Sequence, residues 1–340
     1  KDAPEKFIKA IGKGKFWKKE DKEMKFDAVV GNPPYQSITG GGSEKVVAAT
    51  QAVPIFNRFV EAAVKLVPNY ISMIIPARWY AGGKGLDSFR DEMLHDKRIR
   101  EIHDFNDASE CFPGVEIKGG VCYFLWSRDS NGDCNVYTHR EDVIVSTMNR
   151  PLLEKGGDVF IRHNNAVAIL KKVQQWKEKS MSEIVSARKP FGFATNYSGI
   201  SSAPLHHSVK IYANQKQGYV ERKEIEKNQN WVDKYKLFIP EAIGSGDMTK
   251  DWIKPIVVGK NVCCTETYIV VGPFENEELA QNAYSYSQTK FFHFLLGLKK
   301  ITQHTTQKVY QFVPLQDFSH PWTDEMLYKK YNLTEEEIAF

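Results

Sequence analysis

Residues 26–36 read Phe-Asp-Ala-Val-Val-Gly-Asn-Pro-Pro-Tyr-Gln, FDAVVGNPPYQ. Phe26–Val30 is a short apolar run closed by Gly31, the pattern of a buried strand. Asn32-Pro33-Pro34-Tyr35 follows at once, at the strand's C-terminal end, where open α/β sheets place their sites. The two prolines fix their own φ angles and hold the residue before each of them extended. Asn32 therefore offers a side-chain oxygen beside rigid backbone carbonyls. Such a set of acceptors suits a group with two N–H donors, for example an exocyclic amine. Tyr35 adds a flat face for stacking. Together these residues would hold an aminated heterocycle with its nitrogen lone pair turned outward.

Downstream of this turn the pattern alternates. Phe56, Phe59, Val60, Ala63, Val64 and Val67 form one apolar stripe of a helix that Pro68-Asn69 stops. Tyr70–Ile75 is a fully apolar strand ended by Pro76. A second helix is expected over Leu86–His95 and a third strand over Ile99–Phe105. Val121–Trp126 and Asn135–Thr138 read as two more strands, joined as a hairpin through Ser130-Asn131-Gly132-Asp133. Strand, helix, strand, helix, strand and then a hairpin is an α/β sheet with an antiparallel edge. Upstream, residues 1–24 are a polar, lysine-rich lead-in, and Gly40-Gly41-Gly42-Ser43 reads as a loop. After residue 145 the texture changes. One helix is expected over 163–179, then loop-rich α+β structure over 181–274 and a single helix over Glu275–Lys300. An amphipathic helix should span Thr323–Ala339, with a capping box at Thr334.

The chain has 340 residues, 42% of them hydrophobic, and a mean hydropathy of −0.44. That length suits about two domains. No apolar run long enough to span a membrane exists, and no apolar export segment opens the chain, so a cytoplasmic location is expected. The five cysteines include no CxxC pair, which argues against a zinc ribbon, and no metal site is expected. A net charge of +4 permits a nucleic-acid partner without requiring one. Lysines crowd residues 1–25 and 171–189, and recur at Lys299, Lys300 and Lys308, among aromatic residues. That distribution suits a phosphate-contacting surface.

The segment FDAVVGNPPYQ resembles the catalytic motif of DNA amino-methyltransferases, above all the adenine-specific class. The resemblance continues through YISMIIPARWY, through Cys111-Phe112-Pro113-Gly114-Val115 and through Gly119–Tyr123, and extends into the C-terminal half at Ser186–Gly192, Lys299–Gln303 and Tyr310–Phe318. It implies a partial Rossmann-like methyltransferase sheet over residues 25–145, a connecting helical segment over 146–180 and an α+β target-recognition domain over 181–340. This is the gamma-class, TaqI-like order of type II restriction–modification methyltransferases. The implied activity is methyl transfer from S-adenosylmethionine to the exocyclic amine of an adenine flipped out of double-stranded DNA. Asn32 and the Pro33 carbonyl would accept from the amine, Pro34 would keep the turn rigid, and Tyr35 and Phe112 would stack on the base. Asn32, where cytosine-amine members more often carry Ser, favours adenine. A cognate restriction endonuclease activity, fused or separate, would accompany the protein. In the second domain Arg188, Lys189, Asn196, Lys299, Lys300, Gln303, His304 and Lys308 are the expected DNA contacts.

One departure bears on the cofactor. The family's cofactor strand and its Gly-rich turn should lie many tens of residues before the catalytic motif, and Gly12-Lys13-Gly14 follows no buried strand. The expectation is a C-terminal fragment, inactive by itself, with an unpaired sheet edge and only Asn32 and Pro34 near the cofactor's methyl end. Two other readings compete. Glu116-Ile117-Lys118, with Asp104 or Asp107, would make a metal-dependent nuclease site. Alternatively, the chain is a DNA-specificity module without catalysis. Trp79 either lines the base pocket or packs, and His206-His207 is read as surface.

Overall fold

The computed structural model describes residues 25–38, 52–80, 83, 85–117, 119–204, 206–243, 252–300 and 304–340. The chain divides into two units, residues 1–164 and 165–340. The first unit therefore runs about twenty residues past the boundary expected at 145.

Its centre is a six-stranded sheet. The strands are β1 (Ala28–Gly31), β4 (Tyr70–Pro76), β5 (Ile99–Phe105), β6 (Val121–Ser127), β7 (Cys134–Arg140) and β8 (Val143–Arg150). A separate pair, β2 (Gln36–Ile38) and β3 (Ala52–Pro54), follows the Asn-Pro-Pro-Tyr turn. The spatial order is β1-β4-β6-β5-β7-β8. β1 pairs parallel with β4, with Gly31 opposite Met73, and β5 pairs parallel with β7. β6 is antiparallel to both of its neighbours, β4 and β5.

This order corrects the expected hairpin. β6 and β7 are consecutive in sequence, but β5 lies between them. The Ser130–Asp133 turn therefore crosses the end of β5, where Arg100 Nη1 donates to the Asp133 carbonyl at 3.0 Å and Gly132 N donates to the Lys97 carbonyl at 3.2 Å. The hairpin partner of β7 is β8. β8 was missed because Val143, Ile144 and Val145 are all more than half exposed and show no two-residue alternation.

Helices α1 (Phe56–Lys65) and α2 (Asp87–His95) cover one face of the sheet. Phe56, Val60 and Ala63 of α1 and Phe89, Met93 and Leu94 of α2 share a core with Ile71, Met73 and Ile75 of β4, Ile102 of β5, and Phe124 and Trp126 of β6. Spacings of three and four on the helices meet alternate residues on the strands, so both periodicities bury one set. On the opposite face the His103 ring stacks between Tyr123 and Tyr137, with each ring-centre distance 4.3 Å. That contact follows from register, since His103 lies directly opposite both tyrosines.

The second unit begins with α3, whose residues are Asn164–Gln175 and whose first residue closes the preceding unit. It contains two small sheets. One orders β10 (Lys216–Glu221), β9 (Ser208–Ala213) and β13 (Val262–Cys264); the other orders β12 (Ile256–Val258), β11 (Tyr235–Pro240) and β14 (Tyr268–Phe274). Val209, Ile211, Val220, Phe238, Cys263, Cys264 and Val270 share its main core. The helix expected over Glu275–Lys300 is two, α4 (Glu277–Ser287) and α5 (Lys290–Gly297). Thr289 breaks it by capping the second: its side chain accepts from Phe292 N at 3.1 Å. The final helix is likewise two, α6 (Asp324–Lys330) and α7 (Glu335–Ala339), separated at Asn332, which has φ +51°. The Thr334 capping box forms as expected.

Candidate active site

β1 delivers Asn32-Pro33-Pro34-Tyr35 to the C-terminal end of the sheet. Asn32 and Pro34 are exposed, Pro33 is buried and Tyr35 is half-buried. The turn thus hangs on an inward Pro33, with the Asn32 amide left facing outward. At the other end of β1, Asn69 N and Tyr70 N both donate to the Asp27 carbonyl, and Asn69 Nδ2 donates to Asp27 Oδ1 at 3.0 Å. Behind the turn, the Tyr35 carbonyl accepts from Ile55 N at 3.2 Å, and the β2–β3 pair continues from there. Among the described residues, a Cβ placed on Gly31 would meet nothing within 4 Å.

The Tyr35 ring packs on the main core of the first unit. Its hydroxyl is buried and finds no hydrogen-bond partner among the described residues. Burial pushes its pKa up to about 12, with the nearby Cys111 and Cys122 thiols adding to the effect.

Cys111 belongs to the connection between β5 and β6, which also carries Phe112. This loop starts as a short turn in which Asp107 Oδ1 accepts from Ser109 N at 2.8 Å and Phe112 N donates to the Ala108 carbonyl at 2.9 Å. Phe112 is half-buried and packs with Phe105, Ala108 and Val121. The structure thus brings Tyr35 and the Phe112 loop to the same end of the sheet.

Other expected residues fall elsewhere. Trp79 is fully buried, with Nε1 donating to Cys122 Sγ at 3.4 Å, so it packs rather than lining a pocket. Glu116 is exposed and Lys118 lies outside the described residues. Asp104 is fully buried and held bidentately by Arg162, at 2.9 and 2.7 Å. Asp107 is committed to its turn. Among the described residues no cluster of three His, Cys, Asp or Glu side chains could hold a metal ion, so the nuclease reading finds no support. Gly12–Gly14 and Gly40–Ser43 lie outside the described residues.

In the second unit, Arg188, Lys189, Asn196 and Lys308 are exposed. Arg188 Nε lies 3.1 Å and Lys189 Nζ 3.9 Å from Glu266 Oε2. His304 is exposed and bonded through Nδ1 to Glu241 Oε1 at 3.0 Å. Gln303 lies outside the described residues. Lys299 and Lys300, also expected at DNA, are only 6% and 2% exposed. The Lys299 ammonium is bonded to Gln311 Oε1 and sits over the Phe312 ring, and Lys300 Nζ donates to the Ile243 carbonyl at 3.3 Å. Arg162 is the residue that sequence reading missed; it sits in irregular chain after β8, with no local pattern to mark it.

A mixed α/β sheet with Asn-Pro-Pro-Tyr at the C-terminal end of a strand resembles the amino-methyltransferase arrangement. Residues 1–112 match the family of Eco57I restriction-modification methylases. An uncharacterized adenine-specific methylase of Mycoplasma pneumoniae is 43% identical over 116 residues, which is 34% of this chain and 26% of that protein. The type II methyltransferase M.PstI of Providencia stuartii is 22% identical over 168 residues, 48% of this chain and 33% of that protein. The matches thus span about a quarter to a third of the length of these curated relatives. Among solved structures, the type IIL restriction-modification enzyme MmeI in complex with DNA overlaps 84% of this chain and 45% of its own, at 11% identity and TM-score 0.39. The type IIG restriction endonuclease BpuSI overlaps 91% and 49%, at 14% identity and TM-score 0.37. The resemblance to adenine-specific restriction–modification methylases, read from residues 26–36, is borne out by the sequence comparisons. Among the described residues no helix is long and apolar enough to cross a membrane.

Proposed function

We propose that the protein containing this chain is a site-specific DNA methyltransferase of a restriction–modification system that modifies the exocyclic amine of adenine. The observation carrying this reading is the turn at the end of β1: an outward Asn32 on a buried Pro33, with Tyr35 fixed behind it.

In this reading the two N–H groups of the target amine donate to Asn32 Oδ1 and the Pro33 carbonyl. Those bonds use the hydrogens and leave the nitrogen lone pair directed away from the turn. Tyr35 and Phe112 supply aromatic surface for a base that has left the duplex. Stacking of this kind is worth about 1–3 kcal/mol per base and offsets part of the cost of unpairing. S-adenosylmethionine, when bound, supplies an electrophilic methyl group. The open position at Gly31 among the described residues and the exposed Asn32 and Pro34 fit its methyl end. The described residues show no cradle for the rest of that molecule. Transfer of the methyl group would form the N–C bond as the S–C bond of the sulfonium breaks and a neutral thioether leaves; the amine would become more acidic, its bonds to Asn32 Oδ1 and the Pro33 carbonyl would strengthen, which is the differential binding that catalysis needs, and its surplus proton would pass to solvent.

DNA affinity is assigned to the second unit, through Arg188, Lys189, Asn196, His304 and Lys308. The test is transfer of labelled methyl groups by the natural full-length protein, followed by nucleoside analysis. Methylated adenine is expected, and Asn32→Ala should abolish it while leaving DNA affinity within about threefold, because affinity resides mostly in phosphate contacts. Methylated cytosine alone, or full activity in Asn32→Ala, would refute the reading.

A further inference from the structure

A single guanidinium ties together the two ends of the Phe112 loop. Arg162 Nη1 donates to the Gly119 carbonyl at 2.7 Å, at the loop's exit, and Nη2 reaches the Phe105 carbonyl at 3.4 Å, at its start. Nε and Nη2 also grip both oxygens of Asp104, the residue before Phe105. The side chain of Arg162 is 23% exposed and that of Asp104 is 0% exposed, so this pair is largely screened from water. The Arg162 guanidinium lies 5.4 Å over the Tyr80 ring. Arg162 remains protonated there, since the Asp104 carboxylate outweighs the cost of burial. The loop's exit is packed hard against its start. Gly120 has φ +76°, and a Cβ there would fall on the Phe105 carbonyl oxygen. Gly120 O also accepts from Ala77 N at 3.0 Å, which ties the exit to the segment after β4.

This arrangement is more than a salt bridge. A carboxylate partner for Arg162 needs only two of its five N–H groups, and two of the other three reach backbone carbonyls at the two ends of one loop. We propose that Arg162 is a positioning residue: it closes the loop from Phe105 to Gly119 and so sets Phe112 and Cys111 against Tyr35 at the substrate end of the sheet. This rests on the function proposed above. Arg162 touches neither substrate nor reacting atoms in this reading. Its effect passes through the loop, whose interior holds itself by short turns and by the contacts of Phe112 with Phe105, Ala108 and Val121.

The test uses the natural full-length protein and two variants. Arg162→Lys keeps a cation for Asp104 but cannot span from the carboxylate to Gly119. The pair Asp104→Asn with Arg162→Gln removes both charges and leaves none buried alone. Hydrogen exchange reads residues 106–117 against β4 and β6, and single-turnover methylation reads the chemical step. Both variants should speed exchange in 106–117 by roughly tenfold, with β4 and β6 unchanged. Both should lower the single-turnover rate by up to about 100-fold, the size of effect that a small misplacement gives, with DNA affinity unchanged within about threefold. Wild-type exchange in 106–117 in either folded variant would overturn the proposal, as would faster exchange with an unaltered methylation rate. Asn32→Ala in the same assays separates the two ideas. If it methylates normally, the functional reading fails, while the exchange data still judge the clamp.

Discussion

Gly114 and Gly120 make a matched pair for testing how the Phe112 loop is built. Both have left-handed backbones, φ +78° and +76°. Around Gly114 a new Cβ meets nothing within 4 Å, whereas at Gly120 it meets the backbone carbonyls of Phe105 and Asn106. Gly114→Ala therefore carries only the left-handed cost, about 1–2 kcal/mol. Gly120→Ala carries that cost plus a backbone displacement, which overpacking data put at about 1–3 kcal/mol more. The displacement also threatens the bond from Ala77 N to Gly120 O and the one from Gly120 N to Ile117 O, at 3.0 and 2.9 Å. The expected losses are about 1–2 kcal/mol for Gly114→Ala and about 2–5 kcal/mol for Gly120→Ala. For a unit of this size each kcal/mol lowers Tm by roughly 2–4 °C. The measurement should be confined to the first unit, where both glycines lie. Native-state hydrogen exchange of the β5 and β6 amides does this. Equal destabilisation by the two substitutions would show that the loop yields around Gly120, and that the tight seam between its two ends is not what holds it.

The first unit should also lose stability in acid. Burial, reinforced for His103 by the His139 ring 2.9 Å away, holds both imidazoles below their ordinary pKa, against the opposing pull of Glu101 on one and Glu110 and Asp104 on the other. Lowered folded-state values mean that the unfolded chain takes up protons first, so this stability is present above about pH 6.5 and is lost as pH falls below it. His103→Phe with His139→Phe should flatten that part of the pH–stability curve; an unchanged slope would assign the acid sensitivity to other groups. In DNA binding, Arg188→Ala with Lys189→Ala should reduce the slope of log K against log salt by up to about 2. Lys299→Gln with Lys300→Gln should leave it unchanged and lower the melting temperature instead, because both ammonium groups are spent inside the unit. A shallower salt slope in the second pair would contradict their burial.

The sequence by itself determined the alternation of strands and helices over residues 56–126 and the Asn32–Tyr35 turn to which the chemistry is assigned by proposal. Those features are local. A stripe at spacings of three and four, a run such as Tyr70–Ile75 and a pair of prolines constrain the backbone wherever the segment lies. The cap at Thr334 was legible for the same reason. What depended on pairing was not. Nothing in Val121–Arg140 says that β5 will separate β6 from β7, because the same turn residues serve a hairpin or a crossing, and only the register of the whole sheet chooses. Composition likewise marks Lys299 and Lys300 as basic without saying where they point, and the chain just after α5 holds them against a side-chain amide and a backbone carbonyl. Arg162 is the extreme case. Its partners, Asp104, Phe105 and Gly119, are distant in sequence and are brought together only when β5 and β6 pair. A guanidinium has enough donors to join a carboxylate to two carbonyls, but only the tertiary structure puts those acceptors within its reach.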